Sequence, residues 1–121
     1  MTLDWRVKAL HGLLCRPIAF HRVFVRVGGG VLSGLLLSQM YYWSRNQRSI
    51  ERDGWFYKSW EEWQEETGLT RQEQRTARAK LVNAGLIEEK QEGLPSKLWY
   101  RVKVDVLADR IIETVDDQDG E

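Results

Sequence analysis

Two helix-start signatures stand eleven residues apart in this chain, with one glycine between them. Ser59-Trp60-Glu61-Glu62 and Thr70-Arg71-Gln72-Glu73 each set a hydroxyl residue three positions ahead of a glutamate. In that spacing, hydroxyl and carboxylate each satisfy a backbone N–H that the first helical turn leaves unpaired. The first helix runs to about Thr67, and Gly68-Leu69 leaves room only for a tight turn. The second runs to Gly85, a residue free to take the left-handed conformation that closes a helix. Two capped helices joined by a short glycine turn make a helix-turn-helix. Leu86-Ile87 and Leu98 to Val102 then read as strands flanking a polar loop with Gly93 and Pro95. The predicted fold class is therefore mainly α with a small β-hairpin (α+β), in the order of a winged helix-turn-helix. Helices are expected near 31–47, 59–67 and 71–84, and strands near 86–90 and 97–103.

The second helix of the pair carries the contrast that bears on function. At about 100° per residue, Ala77, Leu81 and Ala84 share one face. Arg71, Arg75 and Arg78, spaced i, i+4, i+7, lie opposite with Gln72 beside them. A charge stripe alone usually marks a solvated face, but its place on the second helix of a capped pair points to DNA. Net charge is zero, yet the charge is unevenly spread. Residues 68–103 carry eight basic and four acidic side chains, a net +4, whereas residues 104–121 carry one and seven, a net −6. Local charge suits a phosphate backbone, while global charge supplies no long-range attraction.

The remaining chain is expected to support this unit. A short helix over residues 3–11 would set Leu3, Val7 and Leu10 on one side. Phe20, Val23, Phe24 and Val27 fit an amphipathic helix. Gly28-Gly29-Gly30 reads as a flexible link, because neither GxGxxG nor P-loop spacing is present. Val31 to Arg48 is apolar nearly all round, with Leu32, Leu35, Leu36, Gln39, Met40 and Trp43 on its broad face and Leu37 outside it. Such a helix is buried on several sides and forms the central core element. Asn46 to Gly54 reads as a loop, and Trp55-Phe56-Tyr57 as a strand able to join the hairpin. The helix over 59–67 is expected to turn Trp60, Gln64 and Thr67 inward, with Trp63 near them, and to expose Glu61, Glu62, Glu65 and Glu66. A last helix capped by Asp105 would align Leu107, Ile111 and Val115, with Ile112 beside them. Residues 1–115 thus form one domain, and 116–121 a disordered acidic tail.

Several functional classes find no support in these residues. Cys15 is the only cysteine, so neither an intrachain disulfide nor a zinc–cysteine site is available. His11 and His21 lack metal-ligand spacing, and no catalytic or Walker constellation occurs. No enzyme, no metal and no cofactor are expected. The opening MTLDWRVK has no signal-peptide run, and the apolar stretch from Val31 to Leu37 falls far short of a membrane span. A cytoplasmic protein with no membrane partner follows. Leu3, Trp5, Val7, Leu107, Ile111, Ile112 and Val115 exceed what one small core needs, which predicts a homodimer through the terminal helices.

The runs LLLSQMYYWSRN, DGWFYKSWEEWQEETGLTRQEQRTARAKLVNAGLIEEK and GLPSKLWYRV resemble the winged-helix domain of bacterial plasmid and phage replication proteins and replisome organisers. The likeness covers roughly residues 17–107. Its most specific parts are Ser38-Gln39 with Tyr42-Trp43, Gly54-Trp55 with Tyr57-Lys58, Thr67 to Thr70, the arginine helix, Gly85-Leu86-Ile87 and the hairpin from Pro95 to Tyr100. The resemblance implies binding of double-stranded DNA in replication or its control. Such proteins often continue into a second domain that contacts a helicase or loader. This chain stops before one, which favours a small accessory or regulatory protein of a plasmid, phage or other mobile element.

In a winged helix the second helix enters the major groove, its first turns nearest the bases. Arg71, Gln72 and Arg75 are then the base-reading candidates, since an arginine fork matches guanine and a glutamine matches adenine. Thr70 opens that helix, and Thr76 and Arg78 are placed for phosphates. Lys97 and Arg101 on the wing, with Lys58 ahead of the first helix, would clamp the backbone. The alternative is a winged-helix adaptor or inhibitor that contacts a replication or host protein, favoured by zero net charge and the acidic helix face.

Overall fold

The computed structural model describes residues 4–14 and 17–119, with side-chain surroundings up to residue 114. Seven helices and three strands follow one another among these residues. They are α1 (Trp5–Leu13), α2 (Val23–Gly28), α3 (Val31–Ser44), α4 (Gln47–Glu51) and β1 (Phe56–Tyr57), then α5 (Trp60–Thr67), α6 (Arg71–Asn83), β2 (Ile87–Glu92), β3 (Lys97–Val102) and α7 (Val104–Asp119). The architecture is mainly helical with one small antiparallel sheet in the order β1-β3-β2. The Trp55 to Tyr57 run does join the hairpin, with Phe56 opposite Tyr100 and Tyr57 opposite Trp99. On the other side of β3, Ile87 faces Val102 and Glu92 faces Lys97.

Helix α3 is the axis of the core. Leu36, Leu37 and Met40 are wholly buried, and the helix packs against α2, α6, β3 and α5. Leu37, expected outside the stripe, is as deeply buried as Leu36, while Leu32 is largely exposed. Burial on several sides, rather than one stripe, decides which positions turn inward. Trp63, Leu81, Leu86 and Leu107 complete the innermost layer, with the aromatic rings of Phe56 and Tyr100 against Trp63.

Other expectations shift once packing is visible. The amphipathic helix around Phe20 starts only at Val23, and Phe20 lies outside it and exposed. Gly28 ends that helix rather than belonging to a loose link. A Cβ at Gly34 would lie 2.7 Å from both the Phe24 carbonyl oxygen and the Val25 Cα, and one at Gly28 would lie 3.2 Å from the Gly34 backbone. These two glycines let α2 and α3 touch backbone to backbone. The Asn46 to Gly54 loop contains α4, opened by the Asn46 side chain accepting from the Arg48 N–H. Helix α5 is rotated relative to expectation: Trp63 is its buried residue and Gln64 is exposed. Asp105 lies inside the first turn of α7 rather than capping it, and Ile112 is exposed. Helix α7 also continues through residues 116–119, where a disordered tail was expected. Leu3, Cys15 and the side chain of Val115 lie outside the described residues.

The α2–α3 contact gives a direct test. Gly34→Ala forces a methyl group into the α2 backbone, an overpacking that costs roughly 1–3 kcal/mol. Urea unfolding should show that loss as a lower midpoint with an unchanged slope. A midpoint equal to wild type would mean that the two helices do not approach this closely.

Candidate functional site

Both capping boxes form in full. Ser59 Oγ accepts from the Glu62 N–H at 3.2 Å while Glu62 accepts from the Ser59 N–H at 3.1 Å. Thr70 and Glu73 repeat the exchange at 3.1 and 2.9 Å. Gly68, at φ 80°, turns the chain between the two helices. A third device was not legible in the pattern. Gln74 is buried inside α6, and its Nε2 donates to the Trp60 carbonyl at 2.9 Å and the Leu69 carbonyl at 3.0 Å. A buried amide that donates to a carbonyl of each segment staples the start of α6 to the start of α5. A glutamine in a polar helix gives no warning of this, because its carbonyl partners belong to the tertiary turn.

The row Arg71, Arg75, Arg78 is not uniform. Arg75, Gln72 and Thr76 stand exposed on α6, and Arg75 has no ion-pair partner among the described residues. Arg71 is exposed and stacks over the Trp60 ring at 5.1 Å. Arg78 departs from expectation. It lies half-buried, forks onto Glu89 of β2 at 2.9 and 3.2 Å, and sits over the Tyr100 ring. The hydrogen bond to Glu89 raises its already high pKa. An arginine held this way fastens the hairpin to α6 and is not free for a phosphate.

The hairpin residues divide in the same manner. Lys97 is exposed, its ammonium 4.7 Å from the Tyr57 ring centre. Arg101 is engaged by Glu88 at 3.0 and 3.1 Å and by Asp53 at 3.0 Å, over the Trp55 ring. It ties the hairpin to the turn before β1, which occupies the fork expected to clamp a backbone.

Lys58 departs furthest. It is only 8% exposed, its Nζ lies 3.8 Å from the Trp43 ring centre and 4.9 Å from that of Trp63, and it pairs with Glu66. Glu66, expected on the solvated face of α5, turns inward and accepts from Gln39 and from the Trp43 indole N–H at 2.8 Å as well. One carboxylate thus takes donors from α3 and from the segment after β1. The network forms the floor of an open cleft of about 1070 Å³, walled by Ile18, Tyr42, Glu62 and Glu65. Glu61, Glu62 and Glu65 remain exposed, so α5 presents carboxylates where α6 presents arginines.

Among the described residues, no group of three or more His, Cys, Asp or Glu side chains is placed to hold a metal ion. None of the described helices is long and apolar enough to cross a membrane. Comparison with protein-family models, with curated proteins and with solved structures finds no match to this chain.

Two stability tests separate structural from exposed cations. Removing one partner of a buried ion pair strands the other, at about 3–5 kcal/mol. Lys58→Ala should therefore destabilise the fold by about that amount, whereas Arg75→Ala should stay within about 0.5 kcal/mol of wild type. Equal chemical-denaturation midpoints for the two variants would contradict this division. The second test uses Tyr100, whose phenol pKa is raised by burial against a smaller opposing pull from Arg78. A raised folded-state value means that the contribution is whole below the ordinary phenol value of about 10 and is lost as pH climbs through the raised value. Wild-type stability should fall over that alkaline window, and Tyr100→Phe should flatten the fall.

Proposed function

We propose that this chain is a double-stranded DNA-binding winged helix-turn-helix, with α6 as the helix that reads the major groove and the β2–β3 hairpin as the wing. The observation that carries this reading is the sorting of cations between Arg71 and Arg101. Arg78 and Arg101 are bound to carboxylates, whereas Arg71, Arg75 and Lys97 have no ion-pair partner among the described residues. Gln72 and Thr76 share the exposed face of α6, whose only acidic side chain, Glu73, is held in the cap. A helix with a buried inner face, exposed arginine and glutamine side chains and no free carboxylate of its own has the chemistry that reads base edges.

The roles follow from position. Arg71, Gln72 and Arg75 lie in the first two turns, where a docked helix comes nearest the bases. Thr76 and Lys97 suit phosphate contacts. Thr70 supports the site by capping α6. Lys58, Arg78 and Arg101 support it as structural cations. The setting suggested by resemblance is replication or its control in a mobile element. A second reading, a protein-binding adaptor, draws on the exposed carboxylates of α5 along the Tyr42 cleft.

Binding to duplex DNA measured across a salt series tests the proposal. Arg75→Ala should cost roughly 1–3 kcal/mol on a preferred site and relax preference at one base position. Lys97→Ala should weaken all sequences alike and lower the salt slope by about one. The triple Arg71→Ala, Gln72→Ala, Arg75→Ala variant should remain folded and lose specific binding. If wild type shows no salt-dependent binding, or the folded triple variant binds as wild type does, the adaptor reading takes its place.

A further inference from the structure

Helix α1 carries apolar side chains that stay exposed among the described residues. No residue of α1 is buried, and it makes no hydrogen bond or ion pair to another element among the described residues. Trp5 is 76% and Leu13 83% exposed, and Leu10 and Leu14 are also open to solvent. Val7, Leu10 and Leu14 fall at i, i+3, i+7, one stripe of a helix. Helices this short are marginal in isolation and depend on packing for their stability.

Elsewhere the same molecule carries an empty apolar groove. It has a volume of about 300 Å³ and is formed by Val23 and Phe24 of α2, Tyr41 of α3, and Val104, Leu107 and Ile111 of α7. No residue of α1 lines it. Val104 and Ile112 extend the apolar surface outward along α7, both more than half exposed. Beside them Asp105 and Asp109 stand i, i+4 on the solvent side of α7. Helix α1 brings the opposite charge in Lys8, which is exposed and has no ion-pair partner among the described residues, while Arg6 is bound to Asp4.

From these two surfaces we infer that the chain forms a reciprocal dimer, in which α1 of each copy lies in the α2–α7 groove of the other. A stripe exposed among the described residues, an open apolar groove and complementary charge meet in one closed, twofold arrangement. The exchange buries the exposed leucines of α1 and covers Ile111 and Ile112 together. It does not rest on the DNA reading, because neither surface includes α6 or the wing.

Sedimentation of the full chain from about 1 to 100 µM, a range typical of modest protein affinities, tests this. Wild type should sediment as a dimer at the upper end. Leu10→Asp with Leu14→Asp, on α1 and its C-cap, and Ile112→Lys, on the groove rim, should each weaken the dimer about tenfold or more. All three positions are exposed in the single chain, so circular dichroism and melting should stay near wild type. Mixing the α1 variant with the groove variant should recover part of the dimer, since one intact helix then meets one intact groove. A monomeric wild type at 100 µM would overturn the inference, as would a groove variant that dimerises like wild type or a mixture that recovers nothing.

Discussion

A single inward-turned carboxylate sets the frame on which the rest of this structure hangs. Glu66 accepts from Gln39 and Trp43 on α3 and from Lys58 just after β1. In a low-dielectric setting a carboxylate is tolerable only with its lone pairs filled, so the three donors hold one another in place as much as they hold Glu66. Fixing Glu66 fixes the rotation of α5. Trp63 is thereby directed into the core against Phe56 and Tyr100. Gln74 transmits that rotation to α6 through the Trp60 and Leu69 carbonyls. The orientation of the arginine face is thus set by a network that contains no arginine.

The same economy of partners explains how a chain of zero net charge keeps an exposed cationic face. Glu88, Glu89 and Asp53 each engage an arginine that is already folded onto the sheet. The pair to Asp53 is the most exposed of these, and such pairs contribute little to stability singly. Their effect here is on where charge remains. Between Trp60 and Val102, Glu61, Glu62 and Glu65 of α5 are left without an ion-pair partner among the described residues, as are Arg71 and Arg75 of α6 and Lys97 at the start of β3. Uneven pairing produces a local field that the overall count of charges conceals.

What could be read in advance follows the range of the interaction involved. Caps, the Gly68 turn and the strand pair depend on neighbours within a few residues, and they formed where the spacing of Ser59, Glu62, Thr70 and Glu73 placed them. Rotation of a helix about its axis is a tertiary property. A pattern of two tryptophans and four glutamates therefore misassigned Gln64 and Glu66. The polar residues Gln39, Lys58 and Gln74 are buried because their partners lie on other elements, up to 27 residues away, where helix or strand periodicity carries no signal. The glycine run misled for a related reason. Gly28 meets Gly34 across two helices, so absence of a side chain serves contact, while Gly29 and Gly30 alone supply the bend. In the proposed site, Arg71, Gln72, Arg75, Thr76 and Lys97 were legible as exposed positions. Arg78, Arg101 and Lys58 were not, because their carboxylates lie on other elements.

The fork between Arg78 and Glu89 also makes a caliper of the molecule. One jaw is α6 and the other is the hairpin, and the gap between them is gauged by a planar guanidinium seated on a carboxylate over the Tyr100 ring. The buried Leu81, Leu86, Ile87 and Tyr100 seat α6 and the hairpin in one core, and the fork fixes the opening at its rim. Any partner that touches both jaws must already have that width on arrival. Size is then measured before any side chain begins to discriminate chemistry.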